Sequence, residues 1–435
     1  MRHRRGPKHI RVAFTGDHLT RYGGVFLLQR FFHRLHLRQH FHTEVRFPQR
    51  NNTYSIPEMV LALLYPIILG LGRIETTELL RHNGIFQALT GLPAYPDPTA
   101  LRRFLYRLAL RGLPKLRHLH DRLLAALCQR PHPLRRVLLD LDSTVLTLYG
   151  HQEKAHIGYN PRKRGRPSYH PLVCFEGQAR DCWHGELRAG DVHTALGAVW
   201  LLNACFRKLP ATVRQIRLRA DAGFYDYKIV RAIEARHGKF VIVARLTRPL
   251  KALVTGLSYT EVHRSLAVAE CQYQPHGWPH PYRFVLVRKA LPEEDSPQIT
   301  LVTVGRYSYH ACVTNFRIWP IAVYRFYNDR AAMENIIKEL KADYSLAKIP
   351  TGHFAANEAY FHLLLFAYNL VHWFQRLCLP PAYHAMTLGT LRRQLLMLPG
   401  EFVHPNNVPT LRLPSLMPER DVIEHALRKI HKLKF

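Results

Sequence analysis

Carboxylates are the scarce residue type in this chain. Asp and Glu number 31 against 62 Lys and Arg, so the 435 residues carry a formal charge of +31. Such a balance favours a polyanionic partner, because each neutralised phosphate releases condensed counterions. Ribosomal and membrane-surface proteins share the property, so charge alone ranks nucleic acid first without deciding it. GC-rich codons account for much of the preference for Arg over Lys, but not for the missing carboxylates. Cysteine is sparse as well: seven residues, an odd number with no Cys-x-x-Cys pair, argue against a disulfide scaffold and against a structural zinc site. A reducing cytoplasm fits that count. Long apolar runs are missing. Met59–Gly72 is short and contains Pro66, and Ala359–Phe374 holds His362, Asn369 and His372, so both read as buried helices, with no membrane partner expected. The basic start, Met1 to Arg5, is not followed by a signal-peptide apolar stretch. There is no internal repeat and no long low-complexity segment. The 47% hydrophobic content belongs to a folded protein, and the length allows two to four domains.

Residues 1–130 read as a helical, DNA-binding domain. The histidines at 33, 36, 40 and 42 have no carboxylate or Cys beside them in a ligand pattern, and are read as a solvated or phosphate-facing surface. Asp97-Pro98 looks like an N-cap followed by proline at the first helical position, opening a helix to about Arg111. On it Arg103, Arg107 and Arg111 recur every four residues, opposite Leu101, Phe104, Leu105 and Leu108. With a short helix before it (75–80), a helix-turn-helix reader and a solvated arginine face stand as equal readings. From Arg135 the pattern turns to strands: 136–148, 172–177 and 182–187. A helix at 192–207, a strand at 215–220, a helix at 226–237 and a strand at 240–245 follow. Three antiparallel-type strands and then alternating helix and strand is the order of an RNase H-like core, an α/β fold. The expected divisions are 131–249 as the first part of that core, 250–320 as a β-rich insertion with strands near 282–288 and 299–304, and 321–378 as its second part. Helices are expected at 327–344 and 353–376, and 379–435 is read as a C-terminal helical tail that could mediate dimerisation, with a Pro-punctuated linker near 405–418.

Three places in this order carry carboxylates. In Leu139-Asp140-Leu141-Asp142-Ser143-Thr144, Asp140 and Asp142 share one face of the strand. A carboxylate inside an apolar strand is costly unless paired or metal-bound, but periodicity does not choose between the two. Asp221, in Arg219-Ala220-Asp221-Ala222-Gly223-Phe224, stands at the carboxyl end of the next core strand. From Tyr327, a helix of about 100° per residue gathers Arg330, Glu334 and Lys341 within an arc of about 60°, with Lys338 beside them. Met333, Ile336 and Leu340 fall on the opposite face. A carboxylate ringed by cations suits a metal beside phosphates better than a plain charged stripe. A last feature, Arg162-Lys163-Arg164-Gly165-Arg166-Pro167, reads as a basic hairpin loop touching phosphates, or else as an AT-hook in a minor groove.

The spacing Tyr327-x2-Arg330-x3-Glu334-x6-Lys341 resembles, without deviation, the signature of a group of bacterial insertion-sequence DDE transposases with a β-strand insertion. Asp142-Ser143-Thr144 and Arg219 to Phe224 resemble that group's other motifs, and the likeness covers about 135–376. It implies that Asp142, Asp221 and Glu334 bind a catalytic metal (Mg²⁺, with Mn²⁺ as a substitute), Asp140 being the alternative first carboxylate. It implies further that Tyr327, Arg330 and Lys341 contact phosphates, with Lys338, Arg162, Lys163, Arg164, Arg166, Arg103 and Arg107 as further expected DNA contacts. A tryptophan of the insertion would stack a flipped base; Trp278 and Trp319 are both open for it. The implied activity is cut-and-paste transposition: a homodimer binds double-stranded terminal inverted repeats at the bacterial nucleoid, cleaves them and joins the 3′-hydroxyl to target DNA. The alternatives are a non-catalytic DNA-binding derivative and an RNase H-like nuclease without strand transfer.

Overall fold

The computed structural model describes residues 12–14, 16–49, 53–130, 132–290, 302–304 and 307–434. The basic start at 1–5 and residues 299–301 of an expected strand lie outside them.

The amino-terminal part is helical: α1 (Val25–Arg34), α2 (Leu37–Glu44), α3 (Ile56–Leu69), α4 (Pro98–Arg111) and α5 (Leu113–Leu127). Local chemistry sets the helix starts. Ser55 accepts from the Glu58 amide while Glu58 reaches back to the Ser55 amide, a complete capping box. Asp97 caps α4 by accepting from the Thr99 and Ala100 amides, with Pro98 at the first helical position as the sequence indicates.

A mixed sheet follows, formed by β1 (Arg136–Ser143), β2 (Leu172–Glu176), β3 (Cys182–Glu186), β4 (Gln215–Ala220), β5 (Lys239–Val243), β6 (Thr260–His263), β7 (Leu266–Tyr273), β8 (Tyr282–Ala290), β9 (Val302–Val304) and β10 (Tyr307–Thr314). The order across it is β3-β2-β1-β4-β5-β10-β8-β7-β6, with β9 paired to β10. β1, β4 and β5 run parallel, while β2 and β3 pair antiparallel beside them. α6 (Ala198–Arg207) and α7 (Tyr227–Glu234) provide the crossovers of the parallel part. α6 starts later than periodicity indicates, because 191–197 turn before Gly197 opens the helix at φ +80°.

The segment 250–320, expected as a β-rich insertion, is β-rich, and after α8 (Arg248–Gly256) its strands continue the same sheet, because β10 pairs antiparallel with β5. One expectation changes here: the carboxyl-terminal tail is not purely helical, since Gly400–Val403 and Thr410–Arg412 form a hairpin, and Leu19–Thr20 adds to its edge. These strands are two to four residues long, too short to show a period of two.

α9 (Pro320–Asn328), α10 (Ala331–Ala342), α11 (Phe354–Cys378) and α12 (Arg420–Lys432) complete the chain. α11 spans 25 residues, is buried on nearly every side, and packs against β3, α3, α4, α5 and α12. The side chains of both apolar runs therefore lie in the protein core, and no single helix among the described residues is long and apolar enough to cross a membrane. Polar side chains on α11 are used rather than wasted. Asn369 accepts from the Cys182 amide at 2.7 Å and donates to its carbonyl at 2.8 Å, which substitutes for a neighbouring strand at the edge of β3.

Around that edge lie His120, His184 and His362, with Lys208 and Arg117 against them. Burial, then these cations, holds the imidazoles neutral; His120 is pushed down to about 3. An unfolded chain protonates them near pH 6.5, so below that pH the unfolded state binds more protons and stability falls. Burial raises the carboxyls of Glu186 and Glu358 nearby, which offsets part of the loss at lower pH. The thermal midpoint is expected to be flat above about pH 7 and to fall steadily from about 6.5 to 5. A midpoint unchanged over that range by calorimetry would contradict this account.

Candidate active site

The parallel register between β1 and β4 pairs Asp140 with Arg219 and Leu141 with Ala220. The next residues on each strand are Asp142 and Asp221, so the register brings them side by side at the carboxyl ends. They line one open cleft of about 710 Å³, which Glu334, Lys338 and Lys341 of α10 and Arg162 of the basic loop also line.

Asp142 is 9% exposed. Burial, then the nearby Asp221, pushes its carboxyl up to about 6 against the opposing pull of Arg330. One of its oxygens accepts from the Ser143 amide at 2.8 Å, and the other pairs with the Arg330 guanidinium at 3.2 Å. Asp221 turns back to accept from the Gly223 amide at 2.8 Å. A Cβ on Gly223 would stand 2.6 Å from the Thr194 methyl, so this turn has no room for a side chain.

Asp140 is differently placed. It is 2% exposed, and both oxygens are held by Arg219, at 2.7 and 2.6 Å. Arg219 also donates to the Phe326 carbonyl at 2.8 Å, tying β4 to α9. Asp140 is thus committed to an ion pair and does not line the cleft, which removes the geometric basis for it as the first carboxylate.

The helix expected from Tyr327 through Tyr344 is broken. α9 ends at Asn328 and α10 begins at Ala331, because the Arg330 amide bonds to the Tyr327 carbonyl, three residues back rather than four. Asn and Asp at 328 and 329 compete for backbone bonds and weaken a helix there. The residues of the signature therefore part company. Glu334 and Lys338 are exposed on α10, with Met333, Ile336 and Leu340 buried behind them. Lys341 donates to the Val145 carbonyl at 3.1 Å, and burial next to Arg162 lowers its ammonium pKa. Arg330 lies beneath the cleft, 7% exposed, bonded to the Leu141 carbonyl at 2.9 Å and to Asp142. Burial disfavours its charge, but Asp142, Tyr327 and Asp221 hold it protonated. One terminal nitrogen of Arg330 is thus engaged by Leu141 and Asp142, while its buried Nε has no hydrogen-bond partner among the described residues. Tyr327 belongs to α9, half-buried against the ring of His310 from β10, and its phenol is held protonated, chiefly by burial.

Arg162, Lys163, Arg164 and Arg166 are all exposed on a hairpin loop that turns through Gly165 at φ +73°. Arg103 and Arg107 do not reach this cleft and line a second cavity beside it. Trp278 is buried among Tyr225, Tyr227 and Tyr282, while Trp319 is 81% exposed at the start of α9.

Several cleft residues carry no signal in sequence spacing. His170 bonds Ser143 at 3.1 Å and the Val192 carbonyl at 3.2 Å, fixing the turn after Asp142. Buried Arg188 donates to the His170 carbonyl at 2.8 Å. Arg245, two residues beyond β5, donates to the Ala222 carbonyl at 3.0 Å and steadies the Asp221 turn. Only the position of Arg245 at the carboxyl end of a buried strand could have drawn attention to it.

The donor chemistry of the cleft suits a hard divalent cation, which prefers carboxylate oxygens. The Asp221 charge helps raise the Asp142 carboxyl, a repulsion that a cation relieves. The third carboxylate, Glu334, stands on the α10 side. Among the described residues no group of three or more His, Cys, Asp or Glu is close enough together to hold an ion as placed.

The profile of one family, described as "Transposase DDE domain group 1", matches residues 3–435. The chain belongs to the DDE transposase family. No curated protein matches it. Among solved structures, a piggyBac transposase synaptic complex with hairpin DNA is similar over 86% of this chain and 80% of that one, at 12% identity and a TM-score of 0.45. So loose a likeness decides nothing about the site.

Proposed function

We propose that the protein is a cut-and-paste insertion-sequence transposase of the bacterial group with the Tyr-x2-Arg-x3-Glu-x6-Lys signature. It binds the double-stranded terminal inverted repeats of its element, cleaves the ends and joins the freed 3′-hydroxyl to target DNA. The observation that carries this reading is the convergence of Asp142, Asp221 and Glu334 on one cation-walled cleft in a chain of this family. The strand order β3-β2-β1-β4-β5, antiparallel then parallel, supports an RNase H-like core beneath it.

Each side chain has a part that follows from its position. Asp142 and Asp221 would hold Mg²⁺, or Mn²⁺ in its stead, with Glu334 as the third carboxylate. When bound, the ion would supply Lewis acidity at the scissile phosphate. Arg330 fixes the direction of the Asp142 carboxylate. Lys338, Lys341 and Arg162 line the cleft with positive charge that has no ion-pair partner among the described residues, which would orient phosphates for in-line attack. Pairing of two ends by a homodimer, and a hairpin intermediate, follow from the resemblance of the signature.

The test uses the full chain with Mg²⁺ and a plasmid carrying the DNA on either side of its gene. The expected products are an excised fragment and target joints bearing 3′ ends of the element, both lost on adding a chelator. Cleaved ends that never join a target identify a nuclease instead. Binding without cleavage in either metal identifies a non-catalytic derivative.

A further inference from the structure

α10, which carries Glu334, Lys338 and Lys341 to the cleft, has no continuous helix at either end to orient it. It follows the break at 329–330, and beyond Ala342 the chain turns through Ser345 at φ +57°. Its last turns are held instead by residues 387–396. Thr387 caps a short helix, Leu388–Leu391, by accepting from the Thr390 amide. The other two amides of that first turn are capped by α10: Oε1 of Glu339 accepts from Leu388 and Oδ2 of Asp343 from Gly389, each at 2.8 Å. A Cβ on Gly389 would stand 2.7 Å from Oδ1 of Asp343, so this close approach requires glycine.

The contact is reciprocal. The short helix continues into a widened turn, Arg392–Leu396, closed by the Met397 amide on the Arg392 carbonyl at 2.8 Å. Arg392 reaches back from that turn to the carboxyl end of α10, donating to the Asp343 carbonyl at 2.9 Å. Its Nε donates to the Ile68 carbonyl, at the end of α3, at 3.0 Å. Gly70, at φ +69°, leaves the guanidinium its room there. Carboxylates thus meet the amide end of one helix, and a cation meets the carbonyl ends of two others, the favourable sense of the helix dipole at each. Burial pushes the Glu339 carboxyl up to about 7 and lowers the Arg392 guanidinium pKa, so water does not readily replace these bonds.

We propose that Glu339 and Arg392 are positioning residues for metal-dependent cleavage. Through the reciprocal cap, residues 387–396 hold the end of α10 so that Glu334, about a turn and a half away on the same helix, lines the cleft. The inference rests on the reading of Glu334 as the third carboxylate. The kind of contact favours positioning over plain packing. Met333, Ile336 and Leu340 bury α10 against the core, but apolar burial is non-directional and leaves a helix free to slide or roll. Hydrogen bonds at its last turns are directional and fix both its rise and its rotation. A metal ligand needs that precision, because a misplacement of about 1 Å costs about 10²-fold in rate.

The experiment uses the full chain with two readouts: single-turnover nicking of element-end DNA at saturating DNA and varied Mg²⁺, and hydrogen exchange of the α10 amides with neither DNA nor metal. Glu339→Ala is expected to slow nicking by about 10–100-fold and to raise the Mg²⁺ needed for half the maximal rate. It should also speed exchange at 335–342, while the thermal midpoint moves by no more than about 4 °C. Gel-shift affinity should not change. Glu339→Gln keeps an oxygen that accepts from Leu388 and should restore both readouts. Gly389→Ala displaces the Asp343 carboxylate with Glu339 and Arg392 intact, and should slow nicking in the same way; it decides the matter if Glu339→Ala does not fold. Unchanged nicking in Glu339→Ala and Gly389→Ala overturns the inference, as does slower nicking with α10 exchange unaltered. Glu334→Gln separates the two readings. Its undiminished nicking would sink the catalytic assignment, whereas its loss without any effect of Glu339→Ala and Gly389→Ala would sink only this one.

Discussion

Glu334→Gln is expected to abolish metal-dependent nicking of element-end DNA, by about 10³-fold or more, while gel-shift affinity stays within about twofold. The magnitude follows from the behaviour of groups that act as a unit, where removing one member costs nearly as much as removing all. The substitution keeps the shape and removes the charge. Glu334 is exposed on α10 and has no ion-pair partner among the described residues, so the fold does not depend on it. Asp142→Asn should give the same loss of cleavage for a different structural reason. Burial and Asp221 push its carboxyl up to about 6 against the pull of Arg330, so the neutral amide forfeits a ligand and leaves the buried Arg330 facing an amide. A carboxyl raised in the folded state disfavours folding as pH rises through about 6, and Asn removes that dependence. Undiminished nicking by either variant would sink the site assignment.

The second large effect concerns stability. Arg219→Ala is expected to cost about 3–5 kcal/mol in urea denaturation, because it leaves the Asp140 carboxylate buried without its partner. The pair is nearly inaccessible and bidentate, and its guanidinium also bonds the Phe326 carbonyl. Asp140→Asn should be destabilising through the mirror-image fault, a buried arginine facing an amide. Replacing both together, Asp140→Leu with Arg219→Met, should recover most of the loss, since a packed apolar pair removes both desolvation costs. A loss below about 1 kcal/mol for Arg219→Ala would contradict a structural role for the pair. Residual nicking by Asp140→Asn alongside none by Asp142→Asn would separate the two strand carboxylates functionally.

Much of the site is local enough to be legible in the order of residues. Asp140 and Asp142 alternate along an apolar strand, Asp221 ends another, and Glu334 sits on a helix whose apolar residues fall behind it. What spacing could not say is which of the strand carboxylates is spare. Asp140 and Asp142 share a face and differ only in what arrives from β4: Arg219 meets the first, and Asp221 follows beside the second. Spacing also could not place Arg330. On one continuous helix it would share the face of Glu334, but the break at 329–330 turns it under the cleft against Leu141 and Asp142.

The sequence by itself determined the period-dependent features: which segments become strands and helices of any length, the caps of α3 and α4, the carboxylates at strand ends, and the surplus of positive charge. These depend on neighbours a few residues apart. Only the tertiary structure decided the features that depend on register and on long-range partners. The strands of 260–314 join the core sheet because β5 has a free edge, Asn369 closes the opposite edge from 187 residues away, and the arginines of α4 face a cavity. The Glu334 helix likewise becomes part of a cleft only because β1 and β4 run parallel with Asp142 and Asp221 at the same height, a relation no interval along the chain encodes.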